Sequence, residues 1–312
     1  MTTTLVIGPY TDTDTAAAKQ AFAPVILDRI SELAGLDEAT RSAITALAYK
    51  GHTAVGPAEM DLLPKLGLIA NYGVGYDAID IPAATERGIR VTNTPDVLND
   101  DVADLAVGML LMQMREMEQA SNWARSGNWK TRGEYRLAHR MTGGRAGIVG
   151  LGRIGREIAD RLAAFKMDIH YYARSEKQTP GWTFHADPVS LAEAVDFLVI
   201  AIVGGPDTEK FVSKDVIDAL GPRGVVVNIS RGTTVDEAAL LDALEQGRIA
   251  GAGLDVFLGE PDIDPRFYEL SNVVIQPHHG SGTVETRAAM GQLQRDNIAA
   301  FHAGQPLLTA VN

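Results

Sequence analysis

The chain has 312 residues, 46% hydrophobic and 22% charged, an ordinary globular balance that fills one large or two medium domains. A formal net charge of −12 argues against a nucleic-acid partner, because phosphate contacts need clustered Lys and Arg. The absence of cysteine removes disulfides, thiol nucleophiles and thiolate metal sites, and fits a reducing compartment. The opening MTTTLVIG lacks a basic region followed by a long apolar run, and no apolar stretch is long enough to cross a bilayer. A cytoplasmic protein with no membrane partner and no metal is the expectation.

Thr4–Ile7 reads as a first strand and Thr15–Glu32 as a helix, with further strands at Lys65–Ala70 and Gly88–Thr92. Short strands alternating with helices predict an α/β fold built on parallel sheets. After LGLIA comes a glycine turn, Asn71–Asp77, whose successive amides suit a small anion. A plain βα turn is the alternative reading. Asn93-Thr94-Pro95 then breaks the pattern before a long helix, about Leu98–Glu118, whose VADLAVGMLLMQM is apolar nearly all round, as for a helix buried between domains. Residues 121–144 carry Trp123, Trp129, Tyr135 and several Arg with little periodicity. Such an arm reads equally as a protein interface or as a surface loop.

The most informative stretch is Ala146–Phe165, AGIVGLGRIGREIADRLAAF. A buried strand, Gly147-Ile148-Val149, leads into the turn Gly150-Leu151-Gly152-Arg153-Ile154-Gly155. A helix follows from Arg153, with Ile154, Ile158, Leu162 and Phe165 at helical spacing. Gly150 permits the turn, Gly152 lets backbone amides approach a pyrophosphate, and Gly155 lets helix and strand pack closely. The helix N-terminus adds unpaired N–H groups and partial positive charge. Strand, turn and helix in this order point to a dinucleotide site. The next strand, Asp168–Tyr172, ends in Ala173-Arg174-Ser175. An NAD site usually places an acid there for the ribose 2′-hydroxyl, whereas Arg174 suits a 2′-phosphate. NADP(H) is therefore the expected cofactor, and Glu176 keeps NAD(H) open.

Further strands are read at Phe197–Ile202, Val225–Ile229, Gly251–Val256 and Val273–Gln276. The last three deliver Arg231, Glu260 and His278 just past their C-terminal ends, the edge where open α/β sheets bind ligands. Each residue alone has an ordinary explanation as a surface or turn group. Together, beside a nicotinamide, they supply what reduction of a keto acid needs. Arg holds a carboxylate through a bidentate pair, and His protonates the carbonyl oxygen. A carboxylate bonded to the imidazole favours its charged form and keeps that acid loaded.

These residues lie in segments that resemble the D-2-hydroxyacid dehydrogenase family, and within it the glyoxylate/hydroxypyruvate and hydroxyphenylpyruvate reductase branch. The segments are LPKLGLIANYGVGYDAID, RGIRVTNTPDVL, GIVGLGRIGREIA, NISRGTTVDEAALLDAL, the stretch AGAGLDVF with GEP after it, and PHHGSGTVETR. They run in family order from about Leu63 to Arg287. The resemblance implies two doubly wound parallel-sheet domains with a cleft between them. A Rossmann nucleotide domain would span 99–283, and a discontinuous flavodoxin-like substrate domain 1–98 and 284–312. It implies Arg231, Glu260 and His278 as catalytic residues, and the amides of Val74 and Gly75 on the substrate carboxylate. Asp255, Ile229, Val203, Thr208 and Gly280 would line the cofactor with Gly150, Gly152, Arg153, Ile154, Gly155, Arg174 and Ser175. The loop Lys50–Thr53 falls where the family meets the substrate side chain, so Gly51 and His52 are candidates there, a solvated His52 being the alternative. The family is usually dimeric through the nucleotide domain, which makes the 121–144 arm a candidate interface.

His279 departs from the apolar residue that commonly follows the catalytic His, and a minor role for it stays open. The expected reaction is NADPH-preferring reduction of glyoxylate or hydroxypyruvate to the D-2-hydroxy acid, with an aryl pyruvate as the second choice. A dinucleotide-sensing corepressor is the alternative from another class, and the intact Arg/Glu/His set weighs against it. Formate oxidation is disfavoured because that branch carries Gln in place of Glu260, and phosphite oxidation is separable by assay.

Overall fold

The computed structural model describes residues 3–312, so the first two positions of the 1–98 segment lie outside the described residues. The chain forms two compact units, one from the residues up to Leu98 together with Gly282–Asn312, the other from Asn99–Ser281. Among the described residues no helix is long and apolar enough to cross a membrane.

The first unit holds a five-stranded parallel sheet: β1 (Thr3–Ile7), β2 (Val25–Leu27), β3 (Ile44–Tyr49), β4 (Leu68–Asn71) and β5 (Arg90–Thr92). Its order, β2-β1-β3-β4-β5, is the flavodoxin-like winding. Successive side chains alternate between faces, and both faces are covered, so the strands read as continuous apolar runs. Leu5, Ile7, Leu47, Ile69 and Val91 fill one side. Val6, Ala46, Ala48, Leu68 and Ala70 pack with Ile298 of the helix Val284–His302 on the other. That helix is capped by Thr283, whose side chain accepts from the Thr286 amide. Its buried Gln294 donates to the Ala70 carbonyl at 2.7 Å.

The helix expected over Thr15–Glu32 instead runs Asp12–Phe22. Ala23 turns to φ 45°, because the ring of Pro24 disfavours a helical residue before it, and β2 follows. Strands β4 and β5 begin later than expected, at Leu68 and Arg90, after turns that end at Leu66 and Gly88.

The second unit carries seven parallel strands: β6 (Arg145–Val149), β7 (Asp168–Tyr172), β8 (Thr183–His185), β9 (Phe197–Ile200), β10 (Val225–Asn228), β11 (Gly251–Leu254) and β12 (Val273–Ile275). The order β12-β11-β10-β9-β6-β7-β8 reverses direction between β6 and β9, as in a Rossmann sheet. Leu198, Ile200, Val226, Ala252 and Leu254 are buried against the helices that cover one face.

The long helix differs from its expectation. It runs Asn99–Arg115, and Glu116 at φ 47° separates it from a second helix, Met117–Arg125. Nor is it apolar all round: Val102, Ala103, Ala106, Val107, Met109 and Leu110 are buried, while Asp100 and Asp104 face Arg161 at 2.7 and 2.6 Å. The arm is more regular than expected, since Asn128–Arg132 is helical too. Trp123 Nε1 donates to the Gly133 carbonyl, and its ring meets Tyr135 edge-on.

Candidate active site

The glycine turn follows β6 at the point where the strand order reverses, the position at which such sheets bind ligands. Gly150 has φ 100°, a conformation that L side chains rarely adopt. A Cβ on Gly155 would lie 2.0 Å from the Gly150 carbonyl oxygen, so helix and turn touch backbone to backbone. Gly152 is the opposite case. A Cβ there would meet nothing within 4 Å, although the residue caps the helix Arg153–Ala164. The protein leaves that space open beside a helix N-terminus, which is the cradle a pyrophosphate needs. Arg153 is exposed and Ile154 half-buried on the first turn, and Arg174 and Ser175 are exposed past the end of β7.

On the other side of the reversal, the β9 end leads through Val203, which is 71% exposed. Thr208 Oγ1 donates to the Val203 carbonyl at 2.7 Å and so folds this loop back on itself.

Strands β10, β11 and β12 are neighbours, so residues just past their ends meet at one edge. After β10, Ile229 is buried and the buried Asn228 organises the turn. Its Nδ2 donates to the Arg231 carbonyl, and its Oδ1 accepts from the Ser230 amide. Thr234 Oγ1 adds a second bond to the Arg231 carbonyl at 2.7 Å. The stem of Arg231 lies across Gly204, where a Cβ would come within 2.5 Å of its Cγ.

After β11, Glu260 holds two groups at once. Oε1 accepts from the Phe257 amide at 2.7 Å, and Oε2 lies 2.7 Å from His278 Nδ1. The contact with Glu260 fixes the imidazole through Nδ1. Both side chains are partly accessible, 31% for His278 and 23% for Glu260, as a proton donor must be. Glu237, near the start of the helix Glu237–Glu245, accepts from the Leu258 amide at 2.8 Å and pins this loop from behind. Burial pushes its carboxyl above the usual range.

After β12, His278 adopts φ 52°. Asp255, only 2% exposed, fixes that turn: its backbone carbonyl accepts from the His278 amide, Oδ1 from His279 and Oδ2 from Gly280. Burial pushes the Asp255 carboxyl up, and the two amides oppose that push. His279 contributes its amide here, while its residue is exposed.

The first unit shows a separate arrangement at Asn71–Gly75. Buried Asn71 donates through Nδ2 to the Gly73 and Gly75 carbonyls, and Asn93 donates to the Val74 carbonyl. All three loop carbonyls are therefore engaged, and among the described residues no backbone bond is donated by the Val74 or Gly75 amides. Gly51 and exposed His52 sit past the end of β3, next to β1, where this sheet reverses direction.

Sequence reasoning did not find Glu237 or Asn228, and it read Asn71 only as the first residue of the glycine turn. Each acts through one or two bonds to a neighbouring main chain, which no side-chain pattern reports. The Asp-Glu pair that opens the helix Glu237–Glu245 was the signal available for Glu237, since acids gather at helix starts.

Residues 107–280 match the family model described as D-isomer specific 2-hydroxyacid dehydrogenase, NAD binding domain. The chain belongs to the D-isomer-specific 2-hydroxyacid dehydrogenase family. It is 47% identical over 252 residues to hydroxyphenylpyruvate reductase of Plectranthus scutellarioides, covering 81% of this chain and 80% of the relative. It is 44% identical over 274 residues to glyoxylate/hydroxypyruvate reductase A of Arabidopsis thaliana, covering 88% and 87%. Among solved structures, the NADPH-dependent glyoxylate/hydroxypyruvate reductase of Sinorhizobium meliloti, in complex with NADP and malonate, superimposes with a TM-score of 0.94 at 41% identity. That match covers 99% of this chain and 96% of the other.

Proposed function

We propose that this dehydrogenase reduces small 2-keto acids, glyoxylate and hydroxypyruvate first, to D-2-hydroxy acids with NADPH. The observation that carries the reading is the His278–Glu260 pair at 2.7 Å, on the same sheet edge as Arg231 and in the unit that holds the dinucleotide turn. A nicotinamide cofactor, when bound, supplies the hydride that the keto carbon accepts. His278 Nε2 gives its proton to the keto oxygen, and Nδ1–H stays on Glu260, which steadies the imidazole through the transfer. General acid catalysis of this kind contributes about 10²–10⁴-fold. Arg231 binds the carboxylate and draws electron density from the carbonyl. A substrate domain of residues 1–98 with 284–312 acts through the Val74 and Gly75 amides and the Gly51–His52 loop. Residues 99–283 form the nucleotide domain.

NADPH over NADH is supported by Arg174 and Ser175 at the β7 end and by the NADP complex of the S. meliloti relative. The 47% identity to hydroxyphenylpyruvate reductase favours an aryl pyruvate as the second reading. A homodimer in the cytoplasm completes the proposal. Its support is the arm with exposed Trp129 and Leu137 and the cysteine-free composition.

Initial rates of NADPH and NADH oxidation with glyoxylate, hydroxypyruvate and 4-hydroxyphenylpyruvate test the reading. Fastest turnover with NADPH and one of the two small acids is expected. Faster turnover with NADH would assign the ribose end to Glu176, and a preference for the aryl acid would move the substrate to the second reading.

A further inference from the structure

The groups that would read a 2′-phosphate sit on a loop with little cover. Between β7 and β8 runs a ten-residue connection, Ala173–Trp182, in which Arg174, Ser175, Glu176, Lys177 and Gln178 are all exposed. Discrimination by such a loop depends on its shape being fixed before the ligand arrives, because ordering it on binding would consume the contact energy.

The structure holds this loop at three points. Tyr171, whose ring is fully buried, places its hydroxyl on the main chain of Lys177, accepting from the amide at 2.8 Å and donating to the carbonyl at 3.1 Å. One residue further, Arg156 Nη2 donates to the Gln178 carbonyl at 2.9 Å, and its guanidinium lies 5.7 Å from the Trp182 ring centroid, within cation–π range. At the base, His170 Nδ1 and His185 Nε2 meet at 2.9 Å and tie β7 to β8. Arg156 belongs to the helix that starts at the glycine turn, so the helix expected to receive the pyrophosphate also holds the loop. Between Tyr172 and the anchored Lys177 only Ala173–Glu176 remain, a short tip carrying Arg174 and Ser175.

We infer that Arg156 and Tyr171 are positioning residues for cofactor choice: they preshape the Ala173–Glu176 tip so that Arg174 and Ser175 meet the 2′-phosphate of NADPH. This rests on the NADPH reading above. NADH has no phosphate for the tip to meet, so loosening the anchors weakens NADPH and spares NADH. A merely structural role moves both cofactors together.

The test uses Tyr171→Phe, which keeps the ring in the core, and Arg156→Ala, with Arg174→Ala as the benchmark. For each, kcat and the KM of NADPH and of NADH are measured on the full-length protein at saturating glyoxylate. Tyr171→Phe and Arg156→Ala should each raise the KM of NADPH about tenfold while the KM of NADH stays within about twofold, kcat being unchanged. Equal rises for both cofactors, a fall in kcat alone, or no change in either KM overturns the inference. Turnover with NADH reports that each variant is folded. A wild-type enzyme without preference for NADPH would remove the cofactor reading itself. Preference in the wild type with unselective variants would remove only the role of the anchors.

Discussion

The two sheets share a winding plan and use their reversal points differently. In the five-stranded unit the reversal lies between β1 and β3, where Gly8 ends β1. A Cβ on Gly8 would stand 1.9 Å from the Lys50 carbonyl oxygen, so the glycine serves backbone against backbone. In the seven-stranded unit Gly155 does the same job against Gly150, but Gly152 between them faces open space. A glycine that the fold itself requires is thus separable from one whose added Cβ would meet no protein atom.

The largest expected effect lies outside that pair. His278→Ala should lower kcat by about 10²–10⁴-fold while the KM of NADPH holds. Turnover at the wild-type rate would remove the proton donor from His278. Next, Gly152→Val should leave the melting temperature near that of the wild type and weaken NADPH by more than about tenfold, measured by cofactor fluorescence titration. Gly155→Ala and Gly8→Ala should do the reverse and cost about 1–3 kcal/mol of stability by overpacking, read from denaturant midpoints. If Gly152→Val destabilised as much as Gly155→Ala, the distinction would fail.

A smaller effect is expected at Glu237. Glu237→Ala removes the acceptor of the Leu258 amide in a part-buried bond, a loss of about 0.5–1.5 kcal/mol. Glu237→Gln keeps an acceptor oxygen and should recover most of that stability. Comparable midpoints for the two variants would show that the bond does not hold the Glu260 loop.

The smallest effect is in pH. Burial lowers the pKa of His185 in one unit and of His302 in the other, below the ordinary 6.5. The unfolded chain therefore binds more protons than the folded one in the window below 6.5. Stability should fall as pH drops through that window. The depressed carboxyls, such as Asp37 and Asp196, titrate below 3.8 and add little near neutral pH, whereas Glu237 and Asp255, raised by burial, bind protons more readily when folded and oppose the fall. Thermal melts at about pH 7.5 and 5.5 check this. Equal midpoints would show that the two imidazoles do not outweigh the raised carboxyls of Glu237 and Asp255.

Much of the seven-stranded unit was legible in the sequence, because its turns carry residues with distinct jobs. Strand, glycine turn and helix stand at Arg145–Ala164 in the expected order, and Arg231, Glu260 and His278 follow three adjacent strands. The five-stranded unit was harder. Strand β3, Ile44–Tyr49, was not read, because its alanines suit helix as well as strand. Strand β8 was missed for a different reason: three residues at a sheet edge carry no periodicity. The break at Glu116 was invisible because a left-handed Glu has no signature of its own, whereas Pro24 was a stop that the helical pattern around it masked. Anchors such as Asn71 and Tyr171 bond main-chain atoms only two to six residues further on, and a pattern of side-chain types does not report such bonds.

Arg231, Glu260 and His278 all belong to the uninterrupted stretch Asn99–Ser281, whereas the other unit is assembled from both ends of the chain. Recombination can therefore move the chemistry as a single cassette with two junctions, at Leu98/Asn99 and Ser281/Gly282. Homologues exchanged at those junctions would inherit their proton donor from one parent and the flanking unit from the other.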